Sequence, residues 1–272
     1  MSQSEKNDLA SALFWVEKRY GKRQYDVLLV GDSRTYQGVS PEILRKHVSH
    51  IGIYNFGFSG GRINRQLLKE AKKRLKKNGK RIFIFGCTSC NLQDEINEHF
   101  LSIREVTPVS FCLPAVWADI HGRYLQKNKG ATGLGYFSQR CPKNEKSISE
   151  TFKHYRARLQ KRSFTASDFE KFVQNLKWCK RNNINVIAYR MVSCREMDEL
   201  EDKFSGVDWD KIRQAVLNED FVWLERPPSP LLEQIEAYCY DASHLNEEGS
   251  QLFSEWIGKE LKKLEWFQQS LK

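Results

Sequence analysis

The fold is decided by one stretch near the amino terminus, Asp26-Val27-Leu28-Leu29-Val30-Gly31-Asp32-Ser33-Arg34-Thr35. Residues 26–30 predict a short apolar strand that runs straight into a Gly-Asp-Ser turn. This turn leaves Ser33 at the carboxyl end of the strand, which is where ligands bind in open α/β sheets. A tight turn can project a serine Oγ into a crevice, so Ser33 is a candidate nucleophile. The alternative is a structural turn in which Asp32 or Ser33 bonds its own backbone.

Strands and helices alternate along the rest of the chain. In order, the pattern predicts a helix over 5–19, the strand 26–30, a helix over 41–48, a strand over 51–56, a helix over 62–77, a strand over 81–86, a helix over 167–181, a strand over 184–189, a helix over 208–217, a strand over 221–224 and a last helix over 247–266. Such alternation predicts a parallel sheet with right-handed crossovers. We expect an α/β fold with a three-layer, doubly wound, flavodoxin-like sheet of about five strands and helices on both faces.

A long segment at about 92–163 interrupts this alternation. It contains a predicted helix over 95–105, an apolar segment over 109–120 and a polar, Gly-containing stretch over 130–142. A segment of this length without a strand is typical of a functional insertion or lid, and a helical cover for one sheet edge is the alternative. We predict a single domain over 1–272, with a mainly helical insertion after the third strand.

The bulk composition is that of a globular protein, with 272 residues of which 40% are hydrophobic and 12% aromatic. No apolar run is long enough to span a membrane, and the first twenty residues lack the order of a secretory signal, so we expect a cytoplasmic protein. The seven cysteines predict free thiols in a reducing compartment. One Cys-x-x-Cys pair, Cys87 and Cys90, has no second pair to complete a zinc site. We predict neither a metal nor a cofactor.

The formal net charge is +10, from 44 basic and 34 acidic residues, and much of the excess lies in 69–80 and 156–162. A basic helix can contact nucleic acid, an anionic membrane surface or an acidic glycan, although a solvated face is the more frequent case. Because no nucleic-acid module accompanies these clusters, we do not expect a nucleic-acid partner.

A second motif, Asp241-Ala242-Ser243-His244, stands just before the last helix and after the last strand. This position also belongs to the carboxyl edge of the sheet. A serine at that edge, with a histidine and an aspartate on one loop, supplies a nucleophile, a base and an orienting carboxylate. Strand-edge geometry is expected to bring Ser33, His244 and Asp241 together.

With these motifs the chain resembles the SGNH hydrolases, also called the GDSL-like superfamily, from about residue 25 to 262. The first block of that family matches Gly31-Asp32-Ser33, and the last block, Asp-x-x-His, matches Asp241 and His244. The second block resembles Asn55-Phe56-Gly57-Phe58-Ser59-Gly60. The resemblance implies that the backbone N–H groups of Ser33 and Gly60 stabilise an oxyanion.

The third block departs from the family's Gly-x-Asn-Asp, whose Asn donates to the oxyanion. The sequence here is Gly86-Cys87-Thr88-Ser89-Cys90-Asn91. Either Ser89 donates from its hydroxyl, or Asn91 reaches in from two residues further on, or the third donor is missing. Loss of one such donor costs about two to three orders of magnitude in rate.

The resemblance implies a serine esterase that hydrolyses O-acyl groups, O-acetyl above all, from a small-molecule or glycan ester through an acyl-serine intermediate. An O-acyltransferase in surface polysaccharide biosynthesis and a non-catalytic glycan-binding protein with the hydrolase fold are the alternatives. Arg34, beside the nucleophile, and Arg190, at the end of the fourth strand, are candidate substrate contacts. For Arg34 the alternative is a surface arginine.

Overall fold

A computed structural model describes residues 14–95, 133–137 and 143–269 of the chain. Within these residues, parallel strands form one five-stranded sheet in the order β2-β1-β3-β4-β5. The strands are β1 (Val27–Gly31), β2 (Ile53–Asn55), β3 (Ile82–Cys87), β4 (Asn185–Arg190) and β5 (Val222–Trp223). This is the strand order of flavodoxin-like sheets. The predicted fold class is confirmed.

The helices that the structure describes are α1 (14–20), α2 (Ser33–Gly38), α3 (Pro41–His47), α4 (Arg65–Lys73), α5 (Glu145–Lys161), α6 (Ala166–Arg181), α7 (Arg195–Phe204), α8 (Trp209–Asn218), α9 (Ser229–Ala237), α10 (Glu247–Lys263) and α11 (Glu265–Gln268). Among these helices, none combines the length and the apolar character that crossing a bilayer requires.

The sheet is apolar on both faces because successive residues of a strand point to opposite sides. In β1, Leu28 and Val30 join one core cluster, which also contains buried residues of α4, α6 and α8. Val27 and Leu29 join a second cluster on the other face, with buried residues of α3, α9 and α10. Helices therefore pack on both faces of the sheet, which gives the three layers that the sequence predicts.

The largest differences from the predicted elements lie next to the strand ends. Residues after Ser33 were expected to form a turn, but helix α2 begins at Ser33 itself, since Asp32 accepts a hydrogen bond from the Arg34 N–H and caps it. Helix α7 follows β4 and was not predicted. The last predicted helix is divided, with α10 ending at Lys263 and α11 following it.

Helix α5 is the part of the predicted insertion that the structure describes most fully. It packs against α7 and the loop that follows α9, with Ile148, Phe152 and Tyr155 touching a cluster of Met197, Leu200 and Ala242. The helix predicted over 95–105 and the segment predicted over 109–120 lie outside the described residues, apart from Glu95. Of the helix predicted over 5–19, only the part from residue 14 is described.

Helix α2, which begins at Ser33, packs tightly on the ends of two neighbouring strands. Gly31 of β1 pairs with Gly86 of β3, and Thr35 of α2 packs over both. A Cβ added to Gly31 would lie 2.1 Å from Thr35 Oγ1 and 2.9 Å from the Gly86 carbonyl oxygen. A Cβ on Gly86 would lie 2.5 Å from the same Oγ1. The two glycines therefore set how closely α2, and with it Ser33, approaches the sheet.

Gly31→Ala should lower the free energy of unfolding by about 1–3 kcal/mol, because the added methyl group overpacks a site bounded by backbone atoms. Urea denaturation measures the change. Gly133→Ala is the matched control, since a Cβ there would meet no atom within 4 Å. Equal stability of the two variants would show that α2 can move away from the strand ends without cost.

Candidate active site

Ser33 is held in place by the acidic residue that precedes it. Asp32 Oδ1 accepts a hydrogen bond from the Arg34 backbone N–H at 3.0 Å. Its other oxygen, Oδ2, accepts one from Thr88 Oγ1 at 2.6 Å. Because Thr88 lies in the loop after β3, Asp32 ties the turn after β1 to the neighbouring strand end. These bonds agree with the structural role expected for this carboxylate.

His244 and Asp241 lie on a tight loop between α9 and α10. The loop is closed by an antiparallel bridge between Cys239 and Leu245, and Ala242 at its tip has a left-handed φ of 69°. Asp241 Oδ1 accepts from two backbone N–H groups, that of Ser243 at 3.0 Å and that of His244 at 2.7 Å. The acidic side chain thus shapes the loop that carries the histidine.

The three side chains predicted to meet form one hydrogen-bonded chain. His244 Nδ1 lies 2.8 Å from Asp241 Oδ2, and His244 Nε2 lies 2.7 Å from Ser33 Oγ. An ionised carboxylate only accepts, so Nδ1 carries the proton and, in the neutral ring, Nε2 accepts from the serine hydroxyl. The serine-to-histidine distance falls within the 2.6–3.2 Å expected of a nucleophile and its base.

The pKa of Asp241 lies below its ordinary value. Burial opposes ionisation of this carboxylate, but the hydrogen bond from the His244 ring, the charge of that ring and the two backbone N–H groups outweigh it. Asp241 is therefore ionised at neutral pH and can stabilise a protonated His244 during a reaction.

Gly60, in the loop after β2, lines the same cavity as Ser33 and His244. Its φ is +60°, and a Cβ there would meet no atom within 4 Å. Asn55 fixes the start of the loop by donating to the carbonyls of Thr35 and Val39, both at 2.8 Å, and by accepting from the Gly57 N–H. Within the described residues, the N–H groups of Ser33 and Gly60 make no hydrogen bond.

Three sequence blocks thus meet at the carboxyl edge of a parallel sheet, in the order that the resemblance implies: the serine turn after β1, the glycine loop after β2, and Asp-x-x-His before α10. This arrangement resembles that of the SGNH hydrolases.

Solved structures of hydrolases are similar to this chain. A lipase/acylhydrolase from Enterococcus faecalis is 12% identical, with a TM-score of 0.44, over 89% of this chain and 96% of its own. A catalytic mutant of an acetylxylan esterase from Geobacillus stearothermophilus is 11% identical, with a TM-score of 0.45, over 90% of this chain and 96% of its own. No protein-family model and no curated protein sequence matches the chain.

In the third block, the two candidate oxyanion donors, Ser89 and Asn91, do not reach the cavity. Asn91 is buried, donates to the Gly86 carbonyl at 2.7 Å and accepts from the Thr88 N–H at 2.9 Å, so its amide holds the loop together. Ser89 is also buried, and its Oγ contacts Cys90 Sγ at 4.0 Å. Neither residue lines the cavity beside Ser33. Of the residues predicted to supply oxyanion donors, Ser33 and Gly60 line the cavity.

Arg34, predicted to contact substrate, lies instead in the protein interior. Its side chain is 2% exposed and pairs with Glu201 of α7, 1% exposed, at 2.5 Å. Its Nε donates to Ser243 Oγ at 3.0 Å, and that oxygen donates to the Tyr155 hydroxyl at 2.9 Å. Burial disfavours the charge, but Glu201 above all keeps the pKa of Arg34 well above its usual value. The arginine connects α2 to the loop that carries Asp241 and His244, and the predicted substrate contact is corrected.

Arg190 is also placed away from the cavity. Its guanidinium lies 2.8 Å from Asp202 and 3.7 Å from Asp198, and it stacks on the Trp209 ring with 4.6 Å to the ring centroid. Two carboxylates already satisfy this charge. The prediction that Arg190 binds substrate is therefore corrected as well.

A cavity of about 550 Å³ opens above Ser33 and His244. The loops after β2 and β3 contribute Ser59, Gly60, Arg62 and Cys90 to its wall. The opposite wall is α5, which contributes Ser147, Glu150, Thr151, His154, Tyr155 and Arg158. Among the described residues that line it, there is no leucine, isoleucine, valine, methionine or phenylalanine.

The sequence interpretation missed these wall residues for a physical reason. The spacing of the α5 side chains, three or four residues apart, marks one helix face. A polar helix face normally indicates a solvated surface. Only the position of α5 over the sheet edge makes it part of the site.

Removing Glu201 should be costly, because it leaves the Arg34 charge buried without a partner. We expect Glu201→Gln to lower the free energy of unfolding by about 3–5 kcal/mol, as measured by urea denaturation. The control is Asp220→Asn, which removes the acid of the exposed Lys180–Asp220 pair and should leave stability nearly unchanged. The double variant Arg34→Met, Glu201→Leu should recover most of the loss. A Glu201→Gln protein as stable as the control would contradict the role given to this pair.

The low pKa of Asp241 also predicts a pH dependence of stability. A carboxyl group whose pKa is depressed by folding stabilises the native state above its unfolded pKa of about 3.9, and this stabilisation is lost as the pH falls through the lower, folded value. The stability difference between wild type and Asp241→Asn should therefore be largest at neutral pH and shrink below about pH 4. Urea denaturation at several pH values tests this. A difference that is independent of pH would count against an ionised, bonded Asp241.

Proposed function

We propose that this protein is a serine esterase of the SGNH type that hydrolyses short O-acyl esters, O-acetyl above all, on a carbohydrate. The observation that carries the proposal is the hydrogen-bonded chain from Ser33 Oγ through His244 to Asp241, at the floor of an open, polar cavity. This arrangement favours an enzyme over a binding protein that keeps the fold.

In the first half of the reaction, Ser33 Oγ attacks the acyl carbon of the ester while His244 Nε2 takes the hydroxyl proton. The carbonyl oxygen becomes an oxyanion, toward which the N–H groups of Ser33 and Gly60 can donate. The bond between the acyl carbon and the sugar oxygen then breaks. His244 gives its proton to that oxygen, and the sugar leaves as an alcohol.

In the second half, a water molecule attacks the acyl-serine and gives a proton to His244. The bond to Ser33 Oγ breaks, the acid leaves, and the proton returns to the serine. Throughout, Asp241 keeps Nδ1 protonated and stabilises the positive imidazolium. With two backbone donors in place of three donors, we expect a slower reaction than a complete oxyanion hole would allow.

The cavity wall supports a short acyl group on a polar alcohol. Each CH₂ group that moves from water into an apolar site gains about 0.8 kcal/mol. A long acyl chain would find hydroxyl, carboxylate, imidazole and guanidinium groups here instead. Hydroxyl-rich ligands suit such a wall, since Ser147, Thr151 and Tyr155 can each donate and accept hydrogen bonds.

The proposal predicts that p-nitrophenyl acetate is hydrolysed and that p-nitrophenyl decanoate is a poor substrate. Ser33→Ala and His244→Ala should each lower kcat by at least about 10⁴-fold, whereas the melting temperature of His244→Ala should stay close to that of wild type. A fluorophosphonate should label Ser33 in wild type and in the control Ser229→Ala, which changes an exposed serine.

Several results would contradict the esterase. If Ser33 is never labelled and Ser33→Ala behaves like wild type, the chain is not a serine hydrolase. A preference for the decanoate would contradict the polar acyl site. Acyl-serine that accumulates and is released only when a sugar acceptor is added would identify an acyltransferase.

A further inference from the structure

A segment rich in lysine and arginine lies at the edge of the sheet where the strands begin, away from the cavity. Residues 73–81 run from the last residue of α4 to the residue before β3, and they include six basic residues and no acidic one. Ser33 follows the carboxyl end of β1, at the other edge of the parallel sheet. A partner that binds this segment therefore leaves the cavity open.

Hydrogen bonds place two other segments beside residues 73–81. The backbone N–H of Lys76 donates to the Tyr25 carbonyl at 2.9 Å, which joins the segment to the chain that leads into β1. Lys80 Nζ donates to the Trp266 carbonyl at 3.2 Å, which joins the segment to the start of α11. We call the surface formed by residues 20–26, 73–81 and 262–266 the basic edge.

Some of the charges of the basic edge are paired and others are not. Ion pairs with acidic side chains involve Arg74, Lys73 and Lys76. Among the described residues, three exposed lysines of the basic edge form no hydrogen bond and no ion pair, namely Lys22, Lys77 and Lys262. The exposed Glu265 adds one negative charge to the same surface. Three ammonium groups are thus available to an anionic partner.

Stabilisation of helix ends does not account for these lysines. A cation stabilises the helix macrodipole only from within the last turn. Lys262 lies in the last turn of α10, but Lys22 and Lys77 lie in the loops that follow α1 and α4. The charges of the two loop lysines therefore stabilise no helix.

Exposed hydrophobic side chains are also concentrated at this edge of the sheet. Of the four large ones among the described residues, Tyr20, 45% exposed, and Trp266, 37% exposed, belong to the basic edge. Leu217, 37% exposed, lies at the carboxyl end of α8, shortly before β5 begins, and hence at the same edge of the sheet. Tyrosine and tryptophan are enriched where membranes meet water, because each combines an apolar body with a polar tip.

We propose that the basic edge binds the surface of an anionic lipid bilayer, with Tyr20 and Trp266 in the headgroup layer. This inference does not depend on the esterase activity proposed above. Each lysine near an anionic surface strengthens binding about fivefold, which corresponds to about 1 kcal/mol. A soluble polyanion, such as a nucleic acid duplex or an acidic glycan, offers the same charge but no apolar layer for the two exposed rings.

The test is sedimentation of the full chain with two kinds of vesicle, one of phosphatidylcholine alone and one of phosphatidylcholine mixed with phosphatidylglycerol. We expect binding to the mixed vesicles only, and weaker binding at high salt, because salt screens exposed charges. The triple variant Lys22→Gln, Lys77→Gln, Lys262→Gln should lower the partition coefficient by roughly 100-fold. The matched control changes three exposed lysines outside the basic edge to glutamine and should bind like wild type; these are Lys146, Lys153 and Lys171.

Trp266→Ser tests the apolar contribution to binding. Because the indole ring moves only partly out of water in the headgroup layer, this variant should bind the mixed vesicles about 3- to 10-fold more weakly. Tyr238→Ser is the control and should bind like wild type, since Tyr238 is 39% exposed but follows α9 on the way to the loop that carries Asp241 and His244. Thermal melting followed by circular dichroism should show that every variant is folded.

Three results would overturn the proposal. The first is absence of binding to the mixed vesicles at low salt. The second is an equal loss of binding in the triple lysine variant and its control, since binding would then depend on the total charge alone. The third is binding to heparin or duplex DNA that is tighter than binding to the mixed vesicles and is unchanged in Trp266→Ser, which would assign the basic edge to a soluble polyanion.

Discussion

Arg34 contacts three other parts of the fold, and the geometry of the candidate site depends on it. It belongs to α2, pairs with Glu201 of α7, donates to Ser243 of the loop that carries Asp241 and His244, and lies under the Tyr155 ring of α5, 5.3 Å from its centroid. A charge this deep is stable only with partners in good geometry. The positions of α2, α7 and the loop are therefore coupled.

Ser243 connects Arg34 directly to the loop that carries Asp241 and His244. Its backbone N–H donates to Asp241, and its hydroxyl accepts from Arg34. One residue thus links the carboxylate that orients His244 to the arginine that follows Ser33 in sequence. The two parts of the candidate site lie more than two hundred residues apart in sequence. They are joined by these hydrogen bonds in addition to the one between Ser33 and His244. Changes on the two sides should not be additive.

The sequence alone was sufficient to predict those features of the fold and the candidate site whose interactions are local or follow from strand topology. The apolar strand β1 and the Asp241–His244 loop each lie within a few residues, and parallel strands bring their carboxyl ends to one edge. It was not sufficient for Arg34, because a motif places this residue beside the nucleophile while its partner, Glu201, lies 167 residues away. Similarly, the amide of Asn91 could not be assigned before its bonds to Gly86 and Thr88 were known.

Ser33 and Cys90 both line the cavity and both carry a potential nucleophile, but their surroundings differ. Cys90 lines the same space as Ser33. Burial, assisted by the charge of Glu201, raises the pKa of its thiol, against the opposing influence of Arg158 and Arg34. A protonated thiol is a poor nucleophile, whereas Ser33 has an imidazole 2.7 Å away to remove its proton. The surroundings thus favour the Ser33 oxygen over the Cys90 sulfur as the nucleophile, although a thiol is more reactive than an alcohol in water. The chemoselectivity of this cavity is therefore set by the environment of each atom.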